Sequence, residues 1–193
     1  MAKTNPSKLI IIETAARLFQ TQGYHGTGLN QIIRDSGAPK GSLYYYFPDG
    51  KEQLAAAAIE RTADVVAERI RSGMPDNTDD PVTLLQGFIH HLANSYDGGQ
   101  HQAGLPVAAV ALEMADQSDP IRKACLNAYG KWHDILADRL IKSGMKDEKA
   151  RELASIVNAL IEGAFITVRL TGHGEPLRQM AEVIPALVKG NGH

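Results

Sequence analysis

Cysteine is almost missing from this chain of 193 residues: Cys125 stands alone, so no internal disulfide can form. A chain of this size needs no disulfide or metal to fold, and with no basic-then-apolar leader the sequence suits the reducing cytoplasm. Long apolar runs are missing too. The longest unbroken aliphatic stretch, Leu105 to Leu112, has eight residues and includes a proline, against the roughly 20 that span a bilayer, so no membrane is expected as a partner. Metal-ligand spacings are absent: His90 and His91 are adjacent and diverge on a helix, and no H-E-x-x-H or paired-cysteine pattern occurs. Gly26-Thr27-Gly28 lacks the third glycine and the preceding strand of a dinucleotide loop, and neither G-x-S-x-G nor a Walker sequence is present. Neither metal nor cofactor is therefore expected, and the usual enzyme classes have no support. Strand-like alternation bounded by turn residues is also lacking.

Helical punctuation takes its place. Asn5-Pro6, Asp80-Pro81, Asp119-Pro120 and Glu175-Pro176 each set a proline behind a capping or acidic residue, and Ala38-Pro39 adds a fifth start. Gly23, Gly37, Gly73, Gly144, Gly172 and Gly190 follow apolar-periodic stretches, as left-handed C-caps would. These signals predict an all-α chain of about nine helices, at 6–22, 28–36, 39–47, 51–73, 81–96, 105–115, 119–143, 148–171 and 175–189. An acidic connection, residues 74–80, and a glycine-rich one, residues 97–104 and a candidate lid, separate them.

Charge is distributed unevenly. Residues 1–51 carry Lys3, Lys8, Arg17, Arg34, Lys40 and Lys51 against Glu13, Asp35 and Asp49, a net of +3, which leaves −5 for the remainder of a chain whose total is −2. A basic end suits phosphate, and an acidic body stays off it.

Within that basic end, residues 27–54 read as a short helix, a glycine turn and a second short helix. Leu29, Ile32 and Ile33 give the first helix one buried face, Gly37 and Pro39 break and restart the chain, and Leu43 and Phe47 point inward together from the second. Ser42, Tyr45 and Tyr46 share another face, so hydrogen-bonding side chains stand outward. Lys40, Gly41, Ser42, Tyr44, Tyr45 and Tyr46 are the candidate major-groove contacts. Lysine can donate to guanine, and tyrosine offers a hydroxyl and a ring for a thymine methyl. The alternative is that the tyrosines complete a core, since Tyr44 and Tyr46 flank the Leu43 and Phe47 face. Thr27 and Lys51, at helix starts, are candidate phosphate clamps or plain caps. Asn30, on the outer side of the first helix, is a further candidate.

The ordered set Ile11, Ile12, Ala15, Leu18, Phe19, Gly23-Tyr24, Thr27, Gly37, Lys40-Gly41-Ser42-Leu43-Tyr44, Tyr46-Phe47 and Lys51-Glu52 resembles the DNA-binding domain of the TetR family of bacterial transcriptional regulators. Gly28 departs from the pattern, where the family often has a second hydroxyl residue. Gly50 lengthens the segment after Phe47 by one residue, as in the LmrA/YxaF-like branch. The expected domains are a DNA-binding domain at 1–51 and a ligand-binding and dimerisation domain at 52–193; the apolar residues Leu54, Ile59, Val66 and Ile70 suit a fourth helix that joins them as a lever.

The rest of the chain carries two weaker signals. Leu153, Ile156, Val157, Leu160, Ile161, Ala164, Phe165 and Val168, then Leu177, Met180, Val183, Ile184 and Leu187, form stripes on two consecutive helices. With Ala159 and Gly163 permitting close approach, they suit either a monomer core or a homodimer through the last two long helices. Aromatics and histidines gather in the middle: Phe88, His90, His91, Tyr96, His101, Tyr129, Trp132, His133 and Phe165. With Glu113 and Glu162 among apolar neighbours, they suit a small organic effector or an ordinary core. From this set Phe88, His91, Tyr96, Glu113, Tyr129, Trp132, His133 and Phe165 are the candidate effector contacts.

Taken together, these features point to a dimeric, ligand-responsive repressor on a palindromic double-stranded DNA operator. A helical binding protein with a relic helix-turn-helix, a small helical-bundle enzyme, and a transcriptional activator are the competing readings.

Overall fold

The computed structural model describes residues 5–75, 78–98 and 107–190. Among them lie nine helices and no strand: α1 Pro6–Gln22, α2 Leu29–Ser36, α3 Lys40–Tyr46, α4 Lys51–Gly73, α5 Pro81–Asp97, α6 Ala108–Met114, α7 Asp119–Lys142, α8 Asp147–Thr171 and α9 Glu175–Gly190. The fold class and helix order are as the punctuation predicts. His101, Leu105, and most of the candidate lid and of the acidic connection's centre lie outside the described residues. The chain forms two compact units, Met1–Val65 with Pro106–Tyr129, and Val66–Leu105 with Gly130–His193. Their boundary falls inside α4 and again inside α7. The first unit therefore reaches past residue 51 and takes in α6, which the sequence places with the remainder.

In the first unit α1 packs on α2, α3 and α6. Asn5 caps α1 by accepting from the Ser7 amide at 3.0 Å, with Pro6 in the first turn. The core gathers the predicted residues: Ile11, Ala15, Leu18 and Phe19 of α1, Ile32 of α2, Leu43 and Phe47 at α3, and Leu54 of α4 are all buried. Glu13 and Arg61 add an exposed ion pair at 2.9 Å between α1 and α4, of small energetic weight.

In the second unit α5 and α8 both pack on α9. Asp80 caps α5 through the amide of Thr83 at 2.9 Å, again ahead of a first-turn proline. Asp97 is the last residue of α5, tied down rather than loose: its carboxylate accepts from the Gly174 amide at 2.7 Å and from Arg178 at 2.6 Å. That pairing, the Arg178 hydrogen bond first and the amide second, holds the Asp97 carboxyl below the usual carboxylate range. Gly73 ends α4 without a positive φ, so it is not the left-handed cap expected, and neither is Gly190. A Cβ on Gly73 would sit 2.7 Å from the His91 ring, so this glycine serves close helix approach.

α9 contains Pro185 in its interior, which has no N–H to give the carbonyl four residues back. That carbonyl belongs to Ala181, and the side-chain amide of Gln86 on α5 donates to it at 2.9 Å. The helix survives its proline because a neighbouring helix supplies the missing donor.

Candidate nucleic-acid interface

Ser36 closes α2: its hydroxyl donates to the Ile33 carbonyl at 3.2 Å and accepts from the Ala38 amide at 3.3 Å, while Gly37 takes a left-handed φ of 66°. This reverses the chain so that α3 follows at once. Pro39 stands at the N-cap of α3 rather than inside its first turn. The buried anchors Leu43 and Phe47, four apart, fix the roll of α3 and so decide which residues face solvent. Tyr45 is 79% exposed and Tyr44 48%. Lys40 and Gly41 are exposed, and Ser42 and Tyr46 half-buried. The Tyr45 and Tyr46 rings meet edge to face, with centroids 5.0 Å apart, so the outward face is stiffened by its own aromatics. Asn30 is exposed on α2.

Past Phe47 the extra residue has a definite job. Gly50 adopts φ 78°, its amide donates to the Phe47 carbonyl at 3.0 Å, and its own carbonyl accepts from Leu54 as α4 begins. Gln53 reaches back to accept from the Asp49 amide at 3.2 Å.

Thr27 is corrected by the structure. It is fully buried, its hydroxyl donates to the Gly23 carbonyl at 2.8 Å, and Gly28 occupies the N-cap of α2 with no side-chain cap. The hydroxyl braces the turn and is not offered to solvent. Lys51 is half-buried at the start of α4, its ammonium 4.2 Å from the centroid of the Tyr24 ring. Burial lowers its pKa, and the nearby charge of Glu113 opposes that shift.

The candidate effector residues divide. Phe88, Tyr96, Trp132 and Phe165 are buried, His91 exposed and His133 half-buried, all in the second unit. His133 is engaged, with Nε2 2.9 Å from the Arg151 carbonyl and Nδ1 3.2 Å from Asp134. Tyr129 and Glu113 belong to the first unit. Glu113 is no pocket anchor: its carboxylate accepts from the backbone amides of Tyr24 and His25, a contact across 88 positions or more that no local pattern announces. Cys125 is buried, which pushes its thiol pKa up, the opposite of a reactive thiolate. Among the described residues no cluster of three metal-ligating side chains occurs.

Known proteins share this arrangement. Residues 11–58 match the N-terminal domain of bacterial regulatory proteins of the tetR family, and residues 81–183 match the C-terminal domain of LmrA/YxaF-like transcriptional regulators. The chain is 41% identical over 192 residues, covering 100% of both proteins, to YxaF of Bacillus subtilis, an uncharacterized HTH-type transcriptional regulator. The chain belongs to the TetR family. With LmrA of Bacillus subtilis, an HTH-type transcriptional regulator, this TetR-family chain shares 41% identity over 93% of its own length and 95% of its relative's. The crystal structure of reduced Escherichia coli NemR shares its fold, with a TM-score of 0.79 at 20% identity over 93% of this chain and 95% of that one. The protein is a DNA-binding transcriptional regulator of the TetR type and not an enzyme.

Proposed function

We propose that this regulator is a cytoplasmic, homodimeric repressor that reads a palindromic double-stranded DNA operator with α3 and leaves it when a small apolar or aromatic effector binds the second unit. The observation that carries the DNA part is the outward face of α3. A tyrosine 79% exposed in the last turn of a helix whose opposite side is buried through Leu43 and Phe47 suits an external partner with hydrogen-bonding edges and methyl groups. Lys40 and Ser42 join Tyr44, Tyr45 and Tyr46 as base contacts, and Gly41 permits close approach. Asn30 and Lys51 serve as phosphate contacts.

A dimer is supported by α8 and α9. Leu160, Ile166 and Leu170 of α8 and Val183 of α9 are exposed, Leu170 at 83%. An 18-residue window of α8 has mean hydropathy 1.6 and is only 28% buried. By length and composition α8 would suffice to cross a membrane. Its buried residues Leu153, Val157, Phe165 and Val168 and its packing on α9 instead suit a soluble helix whose other face takes a second copy. Two α3 helices would then address half-sites roughly 34–36 Å apart, or a multiple of that.

The effector part rests on the buried aromatics Phe88, Tyr96, Trp132 and Phe165 of the second unit, which also carries the exposed His91 and the half-buried His133. α4 runs without a break across the boundary at Val65 and is the proposed lever. A tenfold loss of operator affinity needs about 1.4 kcal/mol, within the usual coupling between sites.

The test is a salt-dependent shift assay on duplexes enriched from a random library. Wild-type protein should select a palindrome and lose affinity steeply with salt. Failure to select any duplex would overturn the reading. For the effector, the fluorescence of Trp132, the only tryptophan, is titrated with a panel of planar aromatic compounds. No saturable response from any of them refutes the effector claim alone.

A further inference from the structure

Glu113, half-buried on α6, uses both carboxylate oxygens on main chain far away in sequence. Oε1 accepts from the Tyr24 amide at 3.0 Å and Oε2 from the His25 amide at 2.8 Å. These two donors lie just beyond the end of α1, in the turn that leads to α2. A carboxylate can take two amides at once, whereas a glutamine would present an acceptor to one and its own N–H₂ to the other. The turn is shaped for this guest: a Cβ on Gly23 would lie 2.0 Å from Glu113 Oε1, and Gly23 has φ 74°.

The clamp continues to a charged side chain. Tyr24, fixed through its amide and stacked on Phe19 with centroids 5.7 Å apart, carries the Lys51 ammonium over its ring at 4.2 Å. The next residue of α4, Glu52, accepts from the Ser118 hydroxyl at 2.8 Å. The α6–α7 corner thus grips both the α1–α2 turn and the first turn of α4. A lysine resting on a ring keeps N–H donors free for an anion, and the start of α4 adds its own attraction for phosphate.

We propose that Glu113 is a positioning residue for DNA binding, whose carboxylate holds the α1–α2 turn and, through Tyr24, sets the Lys51 ammonium for a backbone phosphate. The assignment rests on the DNA-binding reading above. Glu113 itself does not touch DNA.

Affinity for the duplex enriched by wild-type protein is measured across a salt series for wild type, Glu113→Gln, Glu113→Ala, Lys51→Ala and the Glu113→Ala, Lys51→Ala double variant, with thermal melts alongside. Both Glu113 variants should lose roughly tenfold in affinity, and their log–log salt slopes should become shallower by about one. The double variant should fall short of the product of the two single effects. Should the alanine variant fold poorly, the near-isosteric glutamine carries the test. Unchanged affinity and slope in Glu113→Gln would overturn the proposal. So would a loss that is multiplicative with Lys51→Ala at an unchanged slope, since that pattern belongs to a purely structural role. If the wild-type chain enriches no duplex, the DNA-binding reading fails and takes this one with it.

Discussion

On α3 the side chains that stand in solvent are tyrosines and a lysine, whereas α8 and α9 leave leucine, isoleucine and valine in solvent among their charged and polar side chains. Both surfaces leave apolar area unburied, yet they call for different partners. Tyrosine and lysine keep donors in water and gain most against a surface that offers acceptors and a few methyl groups, as a DNA groove does. Aliphatic side chains gain only by leaving water, and in the proposed dimer a second copy of the same face would supply that. Burial of the opposite face is what makes each surface legible: Leu43 and Phe47 turn α3, and Leu153, Val157 and Val168 turn α8.

The largest test of this contrast is to charge the aliphatic face. Ile166→Glu with Leu170→Glu should convert dimer to monomer in sedimentation and cost about 100-fold or more in operator affinity, roughly 2.7 kcal/mol. Because both residues are more than half exposed, the melting temperature of the monomer itself should move little. Phe165, only 8% exposed, is unsuitable for this purpose, since a charge there would attack the core. A wild-type monomer at micromolar concentration would break the comparison on the α8 side.

Next comes the polar face. Tyr45→Ala and Lys40→Ala should each cost roughly 1–3 kcal/mol of specific binding with unfolding unchanged within about 0.5 kcal/mol. Unaltered operator affinity in both variants would leave α3 without its proposed partner. Inside the second unit, Gln86→Leu should destabilise by about 1–3 kcal/mol in urea unfolding, because the Ala181 carbonyl facing Pro185 loses its donor. A neutral result would mean that water serves there equally well.

Smaller effects sharpen the picture. Gly130 and Gly163 lie within helices, with nothing within 4 Å of an added Cβ in the isolated chain. Gly130→Ala should stabilise by about 0.5–1 kcal/mol. Gly163→Ala should match it unless a second copy packs there, in which case its dimer should dissociate more readily than wild type. Acid provides a last probe. The Asp97 carboxyl is depressed in the folded state, so its contribution is present above the ordinary carboxylate pKa and is lost as pH falls through the lower, folded value. Urea midpoints of wild type and Asp97→Asn should therefore differ near neutrality and converge in strong acid. A constant gap would remove Arg178 and Gly174 as the cause.

Local chemistry determined much of this protein. Proline behind a capping residue starts a helix and glycine ends one through forces that act within a turn, so the nine helices among the described residues stand within about three residues of their predicted limits. The roll of α3 follows from Leu43 and Phe47 alone. The stretch from Ile11 to Leu54 is legible as a TetR-type domain because its pattern is dense and contiguous, and the family match covers residues 11–58. Distant pairings were not legible. Thr27 looked like a cap, but the carbonyl of Gly23 claims its hydroxyl. Glu113 looked like a buried anchor for an effector, but its carboxylate belongs to two amides 88 and 89 positions away. The α8 stripe gave no sign of which residues it would bury until α9 covered one side. Periodicity reports which side of a helix is apolar, while the partner of a hydrogen bond depends on where the chain returns. Only the tertiary structure decides that, because a contact made across such a distance leaves no repeating trace in the residues on either side of it.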